Sequence, residues 1–204
     1  MKLKLLLITS FIILLSACGA EDEQSETADL SAPEGSNEEV ASTILEGSWI
    51  GSCEDYSEAG DGSRYGQTTF EYIGKDVTIT NRTYDSTSCE GNEYASILTS
   101  IATVIIGDDV IIASGDTVKQ ISTEVSSQTL VYSLAVDITA KNNDAYCGYT
   151  DWTSGVVKDV FSCRIGENTT ILDIVLIDGT SLYFGEAEES GYPITLESLA
   201  YTKQ

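Results

Sequence analysis

An alternation of apolar and polar residues recurs from about residue 44 onward and limits the folds open to this chain. Residues 69–72 read TFEY, residues 77–80 read VTIT, and the longest run, residues 130–138, reads LVYSLAVDI. A period of two places every second side chain on the same face of an extended chain. Each run therefore predicts a β-strand with one buried face.

Short turn signals separate the runs: GKD at 74–76, GDD at 107–109, SGD at 114–116 and DG at 178–179. The last lies between ILDIVLI and TSLYF and predicts a hairpin with a type I′ turn. No segment has a clear amphipathic helical stripe, and TLESLAY at 195–201 is ambiguous. About eight to ten strands with short connections predict an all-β fold, either an antiparallel β-barrel or a barrel-like sandwich.

The first eighteen residues have the order of an export signal. Lys2 and Lys4 precede an apolar run over residues 5–15, which is too short to cross a bilayer as a stable helix. Leu15-Ser16-Ala17-Cys18 resembles the lipobox of bacterial lipoproteins. The resemblance implies cleavage before Cys18 and acylation of its thiol, which would anchor the protein in a membrane. A plain signal peptide with a chance cysteine is the alternative.

A linker follows Cys18. Residues 19–42 contain eight carboxylates and no Lys or Arg, so they are expected to stay extended and disordered. The chain thus divides into a cleaved signal peptide (1–17), a lipidated cysteine with an acidic tether (18–43) and one β-rich domain (44–204). Gly19 is not the Asp that resembles an inner-membrane retention signal, so we expect the outer membrane, on its periplasmic or its cell-surface face.

The charge and the composition exclude several classes of function. The domain keeps 25 of the 33 Asp and Glu residues and 8 of the 10 Lys and Arg residues, which argues against a nucleic-acid partner. The chain has no His, which removes His-based triads, Cys–His pairs and imidazole metal sites.

Four cysteines remain in the domain, and an even number in an exported domain predicts disulfides. Four cysteines allow three pairings, of which we favour the local one, Cys53–Cys89 and Cys147–Cys163. A Cys₄ zinc site is the alternative, but it normally uses short C-x₂-C spacings, which this sequence lacks.

Three segments resemble lipocalins and their calycin relatives. Gly47-Ser48-Trp49 resembles the G-x-W that begins the lipocalin barrel, where the Trp closes one barrel end. Thr150-Asp151-Trp152 is similar to the T-D-Y motif, and Arg164 is similar to the arginine that packs over the first Trp. GSWIGSC, CGYTDW and the YP at 192–193 also resemble gammaproteobacterial envelope lipoproteins of unassigned function. We expect Trp152 to pack in the core rather than to face a ligand.

The sequence predicts no catalytic residue, no metal site and no cofactor. G-x-S-x-G, HExxH and phosphate-loop motifs are absent, which leaves a carboxylate-pair hydrolase as a remote alternative. The acidic loops do not follow the EF-hand pattern and are expected to be solvated turns. The predicted function is non-catalytic binding of an unknown ligand or envelope protein, and the main alternative is a structural or assembly lipoprotein without a ligand.

Overall fold

A computed structural model describes residues 44–55, 64–86, 88–90, 94–165, 169–188 and 190–204 of the protein. The predicted lipidation site Cys18, the signal peptide (1–17) and the tether (18–43) lie outside the described residues. Strands dominate the rest, as predicted. They are β1 (Gly47–Gly51), β2 (Glu54–Asp55), β3 (Tyr65–Ile73), β4 (Asp76–Tyr84), β5 (Ser96–Ile111), β6 (Thr117–Tyr132), β7 (Lys158–Asp159), β8 (Thr170–Asp178), β9 (Ser181–Gly185) and β10 (Leu196–Lys203).

Three helical elements lie in the long connection between β6 and β8. They are α1 (Ala135–Asn143), a 3₁₀ turn (Tyr146–Gly148) and the single-turn α2 (Phe161–Arg164). Within the described residues, no helix has the length and the apolar character needed to cross a membrane.

Eight of the strands close into an antiparallel barrel. The order is β1-β10-β9-β8-β6-β5-β4-β3, and β3 pairs back to β1. Trp49 of β1 closes the ring, because it lies opposite Phe70 of β3 on one side and opposite Lys203 of β10 on the other. The short strands β2 and β7 pair with β3 and β6 outside this ring. The predicted all-β antiparallel barrel is therefore confirmed.

The alternation in the sequence separates the inside of the barrel from its outside. Phe70 pairs with Ile79 and Tyr72 pairs with Val77 across β3 and β4, and these side chains point inward. Glu71, between the two aromatic residues, is exposed on the outer face. Apolar side chains of the other barrel strands join the same interior cluster, so burial of one face of each strand stabilises the closed sheet.

One end of the barrel is filled by Leu45 and Trp49, and we call it the plugged end. Trp49 is 1% exposed, and its Nε1 donates a hydrogen bond to the carbonyl oxygen of Leu45 at 2.7 Å. Lys203 covers the Trp49 ring, with Nζ 5.1 Å from the ring centroid. Gly47 begins β1 with φ at +110°, a conformation that favours glycine.

The longest alternating run was predicted wrongly in its second half. β6 ends at Tyr132, and residues 135–143 form α1 instead of continuing the strand. Asp137 in the first turn makes a two-fold ion pair with Arg64, at 2.8 and 2.6 Å. Asn142, near the end of α1, exchanges two hydrogen bonds with the backbone of Trp152. These distant partners hold the segment as a helix, although the helix buries none of its own residues.

Two turn signals also differ from their predictions. GDD at 107–109 lies inside β5, where a register shift between Ile106 and Asp109 absorbs it, and the chain turns after Ile111 instead. The β8–β9 hairpin is present, but Gly179 and Thr180 form its tip. Of the two, only Gly179 has a positive φ, 61°, whereas a type I′ turn needs both. Residues 196–201 of the ambiguous segment TLESLAY belong to β10.

The four domain cysteines form the two local disulfides that were favoured from the sequence. Cys53 pairs with Cys89 at a Cα–Cα distance of 5.6 Å, and Cys147 pairs with Cys163 at 5.4 Å. The first bridge joins the segment after β1 to the β4–β5 connection. The second joins the 3₁₀ turn to α2 and so clamps the β6–β8 connection.

Candidate binding cavity

A cavity of about 760 Å³ lies inside the barrel. Inward-facing residues of β3, β4, β6, β8, β9 and β10 line it, together with the segment that follows β9. It opens away from the plugged end, near Thr68 at the start of β3 and Thr170 at the start of β8. We call this opening the mouth. Concave sites for small molecules in proteins typically measure about 300–1,000 Å³, so the cavity has the size of a small-molecule site.

Four aromatic side chains form one wall of the cavity, and we call them the aromatic wall. They are Phe70, Tyr72, Phe184 and Tyr201. The Phe70 ring is 4.9 Å from Phe184 and 5.0 Å from Tyr201, and Tyr201 stands nearly perpendicular to both. They meet because β3, β9 and β10 each direct alternate residues inward, so the ring faces form a corner in the barrel interior.

Asp173 brings a carboxylate to the cavity from the middle of β8. Its Oδ1 accepts hydrogen bonds from the backbone N–H of Ile174 at 2.7 Å and of Gly185 at 2.9 Å. Burial raises the pKa of Asp173 above its usual value, and the two hydrogen bonds oppose this rise by stabilising the charged form. Because β9 ends at Gly185, the side chain takes the N–H that the β8–β9 ladder leaves unpaired.

The phenol of Tyr72 stays protonated in this setting. Burial raises its pKa above the usual value, and the Asp173 carboxylate and the Tyr201 phenol raise it further. A protonated phenol can both donate and accept a hydrogen bond. Tyr72 therefore supplies a neutral polar group inside an otherwise apolar part of the wall.

The mouth is negatively charged. Glu197 of β10 and Glu188 of the β9–β10 connection join Asp173 in lining the cavity. Burial raises the pKa of Glu197, and the nearby charges of Asp173, Glu54 and Glu186 raise it further. The described lining residues thus include three carboxylates and neither Lys nor Arg. The geometry gives a cavity with an aromatic wall and an anionic rim.

Acidification from about pH 7 to about pH 4, the usual pKa of an Asp side chain, is expected to raise the free energy of unfolding partly through Asp173. A carboxyl group whose pKa is higher in the folded state stabilises the fold fully below its unfolded pKa, and this contribution is lost as pH rises through the folded pKa. Asp173→Asn keeps an oxygen acceptor for both N–H groups and removes the titration. Urea unfolding midpoints across this pH range should rise less for Asp173→Asn than for the wild type.

Glu71→Gln is the matched control for this measurement, because it removes one exposed carboxylate from the outer face of β3. It should keep the wild-type pH dependence. Equal pH dependences for Asp173→Asn and the wild type would contradict the raised pKa of Asp173.

Trp152 lies in a second hydrophobic cluster, outside the cavity. It is 3% exposed and packs against Leu130, Tyr132 and Val160. Its Nε1 donates to the Tyr146 carbonyl oxygen at 3.3 Å. The expectation that Trp152 packs in a core is met, and the indole is shielded from any ligand in the barrel.

The motif residues of the lipocalin resemblance are not brought together. Thr150 is exposed, and the carboxylate of Asp151 pairs with Lys158 in the loop around Trp152. Arg164 does not take the position over Trp49 that the resemblance implied. Its Nε donates to Gln128 Oε1 at 3.0 Å and its Nη1 to the Tyr146 hydroxyl at 2.8 Å, and Lys203 covers Trp49 instead. Trp49 pairs with β10, whereas Arg164 ends the short helix α2 in the β6–β8 connection.

Sequence reasoning missed the polar residues of the cavity. Asp173 could have been identified from the sequence, because it is the one charged residue in the apolar run ILDIVLI. In that run the alternation places it on the same face as Val175, which lies in the barrel interior. Glu197 could not have been identified in this way, since acidic residues are common throughout this chain. Within the described residues, no cluster of three or more acidic or Cys side chains could hold a metal ion.

No protein-family model matches the chain, and no curated protein matches it significantly.

Proposed function

We propose that this protein is an exported lipoprotein, held at the outer membrane by lipid on Cys18, whose barrel binds a small organic molecule without transforming it. The cavity is the single observation that carries the binding part of the proposal. The sequence around Cys18 carries the anchoring part.

The lining supports binding of a molecule with an apolar body. The aromatic wall, Val77, Ile79 and Ile121 supply apolar surface, and burying such surface contributes about 25 cal/mol per Å². Polar groups are few and fixed: Thr68 donates to Asn81 at 2.6 Å, and Asp173 is held by two backbone N–H groups. A mostly apolar cavity with a few fixed polar groups is typical of a small-molecule site.

The chemistry of the lining supports binding rather than catalysis. The Tyr72 phenol has a raised pKa, which makes it a poor base and a poor nucleophile near neutral pH. One oxygen of Asp173 already accepts two backbone hydrogen bonds. The remote alternative is a carboxylate-pair hydrolase. It differs from a binding protein because it would convert its ligand into a hydrolysis product.

The outer face of the barrel supports a second candidate, a docking role in the envelope. Ile105 is 63% exposed and Ile101 49%, and neither lines the cavity. Ile101 and Ile105 lie on the same strand, β5, and pair with Ser127 and Ser122 of β6, so they form a short apolar patch on the outer face. Replacing Ile101 and Ile105 with Thr would abolish docking without affecting the cavity.

A cavity-filling substitution tests the proposed binding. N-phenyl-1-naphthylamine, a neutral apolar probe, should bind the wild type at one site and fluoresce. Thr123 is 8% exposed and lines the cavity, so Thr123→Trp should occupy part of the space and reduce the fluorescence gain. Ser122→Trp is the matched control, because the neighbouring residue of a strand faces outward.

Weaker probe binding in Thr123→Trp, with binding unchanged in Ser122→Trp, is the expected result. Undiminished binding in a folded Thr123→Trp would place the probe elsewhere and reject the cavity as the site.

A further inference from the structure

We propose that the ligand of the cavity is an organic cation, an amine or quaternary ammonium group attached to an apolar body. This inference rests on the proposed function and names the chemical class of the ligand. The aromatic wall would receive the apolar body and part of the cation, and Asp173, Glu188 and Glu197 would supply the countercharge.

The charges around the cavity all have the same sign. Asp173, Glu188 and Glu197 line it, and Glu54 and Glu186 lie near enough to Glu197 to act on its titration. No described lining residue carries a positive charge that would neutralise them. A ligand with a carboxylate, sulfonate or phosphate would meet repulsion from every ionised group here, whereas a cation would be attracted by all of them.

The aromatic wall presents electron-rich rings to the cavity. Phe70 and Tyr201 stand at 86° with their centroids 5.0 Å apart, and Phe184 and Tyr201 stand at 83° and 5.4 Å. At these distances each pair is in edge-to-face contact, the ordinary packing of aromatic rings, so a cation would bind the ring faces that border the cavity. Ammonium groups bind to such faces within about 6 Å of a ring centroid, and enclosure by several rings is the usual way that proteins bind quaternary ammonium.

Asp173 gives a second and independent indication. Its Oδ1 accepts both of its hydrogen bonds, and Oδ2 accepts none from a described residue. Burying a carboxylate among Phe184, Ile121 and other apolar groups is unfavourable unless a positive partner comes close. The same burial is what raises the pKa of Asp173. A bound cation would supply a positive partner that the described residues do not.

An organic cation fits this site better than a metal ion. The described residues contain no cluster of three or more acidic side chains close enough to hold one. Metal ions such as Ca²⁺ also require six to eight oxygen ligands at close range. The aromatic wall would contribute nothing to such a shell, whereas it can enclose an alkylated ammonium group.

Three ligands of nearly equal shape test the proposal on the full chain, purified in a non-ionic detergent. Benzyltrimethylammonium carries the cation, neopentylbenzene is its neutral isostere, and benzylsulfonate is the anion. Each is titrated against bound N-phenyl-1-naphthylamine. We expect benzyltrimethylammonium to displace the probe at a concentration about tenfold lower than neopentylbenzene, a factor typical of one or two partly exposed charge contacts. Benzylsulfonate should displace it least.

Variants then identify the countercharges. Glu197→Gln and Asp173→Asn should each weaken benzyltrimethylammonium by about three- to tenfold and leave neopentylbenzene unchanged. Glu71→Gln removes the same charge from the outer face and should change neither. If Asp173→Asn does not fold, the affinity of Glu197→Gln for benzyltrimethylammonium alone tests the countercharge. The Glu197 side chain lies at the mouth, so its replacement should not disturb folding.

The outcomes separate this inference from the proposed function. Equal or tighter displacement by neopentylbenzene or benzylsulfonate, with the probe still bound in the cavity, would overturn the cation preference alone. Displacement by CaCl₂ at micromolar concentration would overturn the organic cation in favour of a metal ion. Failure of the probe itself to bind the wild type would count against the proposed function.

Discussion

Replacing Trp152 with alanine is expected to lower the free energy of unfolding by about 3–5 kcal/mol, the range for truncation of a buried large aromatic residue. The indole is 3% exposed, and its ring centroid lies 5.1 Å from that of Tyr132 and 5.6 Å from that of Tyr149. Truncation leaves a cavity between the β6–β8 connection and the C-terminal end of β6. Urea unfolding of the purified variant measures the change.

Two controls make the Trp152 prediction specific. Val157 lies in the same loop but is 60% exposed, so Val157→Ala should change stability by no more than about 0.5 kcal/mol. Trp152→Phe keeps an aromatic ring and loses the hydrogen bond to the Tyr146 carbonyl, so its loss should fall between those of the two alanine variants. An unfolding midpoint for Trp152→Ala within error of the wild type would reject the packing role. The probe should still bind folded Trp152→Ala, because the indole lies outside the cavity.

Replacing Cys18 with alanine is expected to abolish lipidation completely and to move the protein from the membrane fraction to the soluble fraction. In the proposed anchor the lipid is attached to the thiol of Cys18, so Cys18→Ala leaves no group to acylate. Growth with tritiated palmitate followed by fractionation measures both effects. Ser16→Ala is the matched control, because it keeps a small residue at that position and should retain the label. Equal labelling of Cys18→Ala and the wild type would contradict the proposed anchor.

The strands predicted best from the sequence are those whose partners lie next to them in the chain. β3 and β4 are joined at Gly74 and Lys75, and β8 and β9 at Gly179 and Thr180. Their alternation gives the buried face, and glycines with φ of 61° allow the tight connections. The disulfides follow the same logic, because each joins cysteines close together in sequence, 36 and 16 residues apart.

The segment after Tyr132 shows where a local pattern is not enough. Its alternation continues to Ile138, but the N–H of Ser133 makes the last ladder bond, to the carbonyl of Ala95, and the chain then turns into α1. What decides the structure there is the contact of Asp137 with Arg64, 73 residues away, and that of Asn142 with Trp152. The alternation of residues within the segment cannot predict these contacts.

The cavity could be predicted from the sequence only in part. An acidic residue within ILDIVLI can be recognised from the sequence as an unusual inward-facing group. That the interior is left partly empty cannot, because the empty volume depends on how side chains from six strands fit together. The closure of the barrel sets that fit, and it depends on the register of β1 against β10, which no local signal specifies.

The pairing of β1 with β10 also determines when the domain can become complete. The first and last barrel strands lie side by side, with Ile50 opposite Thr202, so all seven other barrel strands can pair in sequence before β10 arrives. During synthesis, until residues 196–203 have emerged, the sheet has two free edges, one on β1 and one on β9. Free edges readily pair with other chains. A growing chain is therefore most prone to intermolecular sheet formation just before its last strand appears, and the arrival of that strand removes both edges at once.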